Sequence, residues 1–293
     1  MNSHPITVQI QLLAFVLAIV LMPTVTFAAL QEPTQQPDGD PRAQAREYLN
    51  KGVQAYKDAR FDDAIEDFKR AKELDPWLVN APLYLATAYA SQYIPGAPAE
   101  ENVRNGELAV QEFKEILERD PNNLSAIDGI ASILYNMGGT PFDPKKLIES
   151  NLYHEKHIVI APDDSEPHYW IGVIDWSLCY RANRDLRNEY NQTAKFALKE
   201  TAPLTADLAA KFAREYRRTV DEGIAEFQNA IRLHPDYADA MAYLNLLYRQ
   251  KADMESSDVL REQDLQKADD LVDQVKAIKR KQTENQNYPR VQP

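Results

Sequence analysis

AREYLNKGVQAYKDARFDDAIEDFKRAKELDP, residues 45–76, reads as two short amphipathic helices closed by a proline. Tyr48, Gly52 and Ala55 recur at helical spacing in the first half, and Ala64, Phe68 and Ala71 in the second, before Leu74 and Pro76 end the unit. Gly52 and Ala64 let two backbones approach closely, and Tyr48 and Phe68 fill the space between them. Pro76 stops the second helix because it has no amide donor.

Working outward, the same ending recurs as ERDP at Pro121, VIAP at Pro162 and RLHP at Pro235. First-helix positions follow each proline on time: Pro82, Leu85, Ala86 and Tyr89; then Ile127, Ile130, Ala131 and Leu134; then His168, Ile171 and Gly172. The prolines nevertheless lie further apart than a regular period of about 34 residues, so the extra residues fall between the two helices of a repeat. From Thr205, Leu208, Phe212, Tyr216, Val220, Ile224, Phe227 and Ile231 recur every three or four residues. That pattern predicts a long second helix, paired with a first helix running past Trp176 to Tyr190. A last unit starts at Met241, Leu244 and Tyr248 and closes through Leu265, Ala268, Leu271, Val275 and Ile278, with polar residues between them that suit a cap.

The 45–76 unit resembles a tetratricopeptide repeat (TPR). Tyr48, Gly52, Tyr56 (one place late), Ala64, Phe68, Ala71 and Pro76 match that family's pattern, and Lys51 departs from it at the usual Leu. The resemblance implies an all-α, right-handed superhelical array of about five helix pairs. Their expected bounds are 45–78, 79–123, 124–164, 165–237 and 238–280, with a long helical hairpin in the fourth. It also implies a scaffold that binds a protein or peptide segment on its concave face.

Outside 45–280 the chain changes character. Leu12 to Met22 is uninterrupted and apolar, shorter than the roughly 20 residues that span a bilayer, and Thr26-Phe27-Ala28 offers small residues for cleavage. Residues 1–28 are therefore expected to be an export signal, or an uncleaved amino-terminal anchor, since no Lys or Arg precedes the core. Either places the repeats in the periplasm or cell envelope of a bacterium. Residues 29–44 read as a flexible linker and 281–293 as a disordered tail, both polar with nothing to bury.

A net charge of −12 repels nucleic acid, and nine glycines in 293 residues argue against phosphate-cradling loops. Cys179 stands alone in an apolar helix, WSLCYR, and reads as a buried thiol. No catalytic motif and no need for a cofactor is apparent, so a non-enzyme is expected.

By the family's register, the concave wall includes Tyr56, Tyr135, Tyr169, Val173, Trp176 and Arg249. Leu49 and Val53 stand where a terminal-carboxylate clamp needs a basic residue and an amide. Tyr169, Val173, Trp176 and Tyr180 form one helical stripe, equally suited to gripping an extended segment and to packing under the hairpin. The insertions should project from one edge, with Tyr93, Ile94 and Phe142 as its apolar residues; loops also commonly bury such residues against their own helices. His154 and His157 share a helix face and, with His168, are the residues a metal site would use. Their spacing is not that of a zinc protease, and packing roles are favoured. The expected function is an envelope interaction scaffold. The alternatives are a spacer or self-assembling element with a filled groove, or a helical metal enzyme.

Overall fold

The computed structural model describes residues 39–287. The apolar segment Leu12–Met22, the linker up to residue 38 and the tail beyond 287 lie outside the described residues, as do the signal, anchor and tail assignments that rest on them. Ten helices are present among the described residues, in five antiparallel pairs. They are α1 (Pro41–Lys57) with α2 (Phe61–Leu74), α3 (Asn80–Gln92) with α4 (Glu100–Arg119), α5 (Leu124–Gly139) with α6 (Pro144–Ile160), α7 (Ser165–Thr193) with α8 (Ala206–Leu233), and α9 (Ala238–Ala252) with α10 (Asp258–Asn287). None of these helices is long and apolar enough to cross a membrane.

The four prolines end α2, α4, α6 and α8 by one shared turn. Asp75, Asp120, Ala161 and His234, each just before its proline, adopt φ of −138°, −132°, −131° and −132° with ψ of 89°, 85°, 75° and 88°. A residue before proline is driven out of the helical region by its neighbour's ring, so the helix stops there. In each case the residue's N–H still closes the last helical turn, on the carbonyl of Ala71, Ile116, His157 or Ala230. Its carbonyl then accepts from Leu78, Asn123, Asp164 or Tyr237, which aims the chain into the next first helix.

Within the first and fourth pairs, closeness rests on glycine facing phenylalanine. A Cβ on Gly52 would lie 2.5 Å from the Phe68 ring, and one on Gly172 would lie 2.7 Å from the Phe227 ring. Between repeats, each second helix packs on the next first helix, and α1 touches α3, α3 touches α5 and α7 touches α9. Approach on the first-helix side curves the array toward that side, making it the inner face.

Two apolar cores result. One unites repeats one to three around Phe68, Leu85, Phe113, Ile127 and Ile130. The other unites repeats four and five around Val173, Phe212, Val220, Phe227 and Leu247. The seam between them is polar and aromatic.

The insertions lie between the helices of their repeats, and a Cβ on Gly96 in the 93–99 loop would meet the Thr140 methyl of the next loop at 3.3 Å. They therefore neighbour one another along one edge. The largest insertion extends α7 and α8 to 29 and 28 residues, roughly 40 Å at 1.5 Å per residue. This hairpin is docked on the fifth repeat. The buried Arg187 guanidinium donates to Asn183 (2.7 Å), to the Lys199 and Ala202 carbonyls (2.9 Å each) and to Asp253 (2.7 Å), tying α7, the hairpin loop and the α9–α10 turn together. From α8, Arg217 donates to Glu255 at 2.8 Å and to the Met254 carbonyl at 3.1 Å.

Both ends of the array are longer than expected. Proline is well suited to a first helical position, so α1 begins at Pro41 within the expected linker. α10 continues through Asn287 into the expected tail, because nothing from Lys281 to Asn287 breaks a helix and Thr283 bonds the Lys279 carbonyl.

Candidate functional site

First helices α5, α7 and α9 carry aromatic side chains that meet on the inner face. Tyr135 of α5 meets Trp170 edge-on at 5.2 Å, and Trp170 meets Tyr169 at 5.3 Å. Tyr169 stacks on Tyr237 at 5.0 Å. Trp176 stacks on Tyr180 at 5.2 Å and meets Tyr243 of α9 edge-on at 5.1 Å. Edge-to-face and offset contacts of this kind fix ring orientation. Burial pushes the Tyr135 hydroxyl up to about 12, with Tyr243 adding and Ser177 opposing. The Trp176 indole N–H is buried and finds no acceptor.

Of the residues the sequence assigned to this wall, Tyr135, Trp176 and Arg249 are half-buried, and Tyr135 and Trp176 belong to the ring cluster. Tyr169 and Val173 belong to the core, at 6% and 1% exposure, because the extended hairpin and α9 close over that part of α7. They back the wall and do not form its surface. Tyr56 is half-buried in the first repeat and shares a hydrogen bond with Ser91 at 2.9 Å, apart from the cluster of repeats three to five. Arg249 is engaged with Asn245 and, at 2.6 Å, Asp269.

Sequence reasoning missed Tyr243 and Trp170. The signal was present: Tyr84, Trp170 and Tyr243 stand at one common offset after Pro76, Pro162 and Pro235.

At the inserted edge, Tyr93 is buried against Gly106 and Met137, contrary to an exposed role. Its loop is closed by Asn102, whose side chain binds both the N–H and the carbonyl of Ile94 at 2.6 and 2.9 Å. Ile94 itself is 64% exposed. Phe142 is half-buried beneath the Arg181 guanidinium, 5.2 Å away.

The histidines are packed within the protein. His157 Nδ1 lies 2.6 Å from Asp128 and Nε2 3.2 Å from Asp164. His154 is stacked on Trp170, and His168 pairs with Glu226 at 2.5 Å. Among the described residues no group of three or more His, Cys, Asp or Glu side chains is arranged to hold a metal ion. Cys179 is fully buried, with its thiol pushed up by burial and, less, by Asp175.

Two groups near the seam make stability depend on pH. Asp175, 5% exposed, accepts one bond from Asn151 at 3.2 Å. Burial lifts it from 3.8 to about 8, opposed by Asn151 and aided by Glu222, Glu226 and Glu155. The Asn151 amide oxygen is buried without a donor. Burial, with His157 adding, lowers His154 from 6.5 to about 4.

For Asp175 the folded protein holds the proton more tightly, so its contribution is full below 3.8 and is lost as pH rises through 8. For His154 the unfolded chain binds the proton more tightly, so its contribution is full above 6.5 and is lost as pH falls toward 4. The two oppose each other between pH 4 and 6.5, and Asp175 acts alone from 6.5 to 8. The expected melting temperature therefore falls between pH 6.5 and 8. Asp175→Asn should remove that fall, and an unchanged slope in the variant would refute the assignment.

No protein-family model matches the chain, and no curated protein matches it in sequence. Solved structures do align. MamA is 14% identical with a TM-score of 0.53, over 82% of this chain and 94% of that one. MamA from Desulfovibrio magneticus RS-1, residues 41 to the end, is 16% identical with a TM-score of 0.52, over 82% and 97%. YrrB, a TPR protein, is 14% identical with a TM-score of 0.47, over 78% and 86%. Together with the repeated proline turns, the glycine–phenylalanine pairs and the order of the helices, the MamA alignments show the fold: an all-α array of helix pairs, the architecture that the resemblance to the tetratricopeptide repeat implied.

Proposed function

We propose that the protein is a non-enzymatic interaction scaffold that lays an extended segment of another protein along the inner wall of repeats three to five. One observation carries this reading. Tyr135, Trp176 and Tyr243, from three successive first helices, come together and stay half-buried rather than sealed into the core. Aromatic rings supply large contact area at little rotamer cost, which is why they dominate binding hot spots. An apolar run at Leu12–Met22 supports export, with the scaffold acting in the periplasm or cell envelope, held there by cleavage and release or by the uncleaved segment.

A photo-reactive phenylalanine analogue placed at position 176, compared with one at the 83% exposed Val159 on α6, tests the reading in the native envelope fraction. The expected result is one discrete protein adduct from position 176 and none from 159. Adducts from 159 alone would move the site to the outer face. The filled-groove reading draws on the same rings packing against one another, and it predicts no adduct from either position.

A further inference from the structure

The inner wall of repeats three to five is acidic at one end as well as aromatic. No Lys or Arg occurs between Arg119 and Lys145, between Lys156 and Arg181, or between Arg232 and Arg249, the stretches that supply the three first helices over the wall. Acidic residues do occur there. Some are spoken for: Asp128 and Asp164 face His157, and Asp175 is buried. Glu166 and Asp239, in the first turns of α7 and α9, are exposed.

Both flank the rings. Tyr237 donates its hydroxyl to Glu166 at 2.7 Å. Burial is the main cause raising Tyr169, Tyr237 and Tyr243; Asp239 adds at all three and Glu166 at the first two. Acidic first turns suit helix dipoles, but that account does not explain why bases are missing from all of α5, from α7 before Arg181 and from α9 before Arg249. At the other end of the wall stand Arg184, 6.0 Å over the Tyr180 ring, and Arg249. Acidic charge is thus concentrated where α7 and α9 begin, and bases come only further along them.

Resting on the binding reading above, we infer that the segment is cationic: an extended peptide whose Lys or Arg side chains seat between Glu166 and Asp239, over the Tyr237 and Tyr243 rings. A cation over an aromatic face gains from the ring quadrupole, and neighbouring carboxylates add direct attraction. A chain of net charge −12 also draws such a segment in from solution.

The test uses the full chain and three synthetic peptides of one backbone, bearing Arg, Gln or Glu at two positions, titrated by calorimetry. The Arg peptide is expected to bind at least tenfold tighter than the Gln peptide and to weaken severalfold from low to high salt. In Glu166→Gln/Asp239→Asn that preference should shrink to less than threefold, while Trp176→Ala should weaken all binding. Equal binding of the Arg and Gln peptides, or preference for Glu, with loss in Trp176→Ala, would overturn the cationic assignment and leave the scaffold reading standing. Failure of all three peptides to bind would overturn both.

Discussion

Arg187→Ala is expected to destabilise the folded array by about 3–5 kcal/mol, the usual cost of removing one partner of a buried ion pair. The charge is at the hairpin's far end, yet its loss reaches the last repeat. Arg187 is 5% exposed and binds Asn183, two loop carbonyls and Asp253. Truncation strands the Lys199 and Ala202 carbonyls and leaves Asp253, also bonded by Asn183 at 3.0 Å, without its counter-charge. Because the loop from 194 to 205 hangs on these bonds, proteolysis should begin there in the variant. Urea unfolding measures the loss, and limited proteolysis locates it. A loss under 1 kcal/mol, or cleavage elsewhere, would contradict the hub.

Phe227→Ala is expected to cost a similar amount, about 3–5 kcal/mol, by leaving a cavity where a large core ring stood. Phe227 is fully buried and lies against Gly172, Tyr169 and Tyr243. Its loss therefore also loosens the wall. The complementary change is more informative. Gly172→Ala would ordinarily favour a helix by up to about 1 kcal/mol, but here its Cβ falls 2.7 Å from the ring, so overpacking is expected to cost about 1–3 kcal/mol. Adding Phe227→Leu to Gly172→Ala should recover part of that loss, a coupling that a double-mutant cycle detects. Strict additivity would mean that the two do not set the spacing of α7 and α8.

The same contact shows what could be read in advance. Gly52 and Phe68 stand in one helix-pair pattern, and Gly172 and Phe227 repeat it across a much longer hairpin, because the pairing depends on local spacing and one glycine. The prolines likewise announce the helix ends, since a pre-proline residue obeys the same steric rule wherever it falls. The site was harder. Tyr169 and Val173 lie on the stripe with Trp176, and periodicity cannot tell which part of a stripe a neighbouring repeat will cover. α9 and the hairpin cover theirs. Tyr93 looked like a loop residue until Gly106 made room for it. Arg187 carries no signal, because two of its partners are loop carbonyls, which any residue supplies, and its counter-charge, Asp253, arrives from 66 residues away.

The most direct measurement of the central claim is the affinity of the segment crosslinked at position 176, resynthesised and titrated against the wild type and a Tyr135→Ala/Trp176→Ala/Tyr243→Ala variant shown by circular dichroism to remain folded. The account predicts a loss of at least a hundredfold in the variant, about 2.7 kcal/mol, with Ile94→Ala at the inserted edge unchanged. An affinity equal in the wild type and the triple variant, or lost in Ile94→Ala, would contradict it.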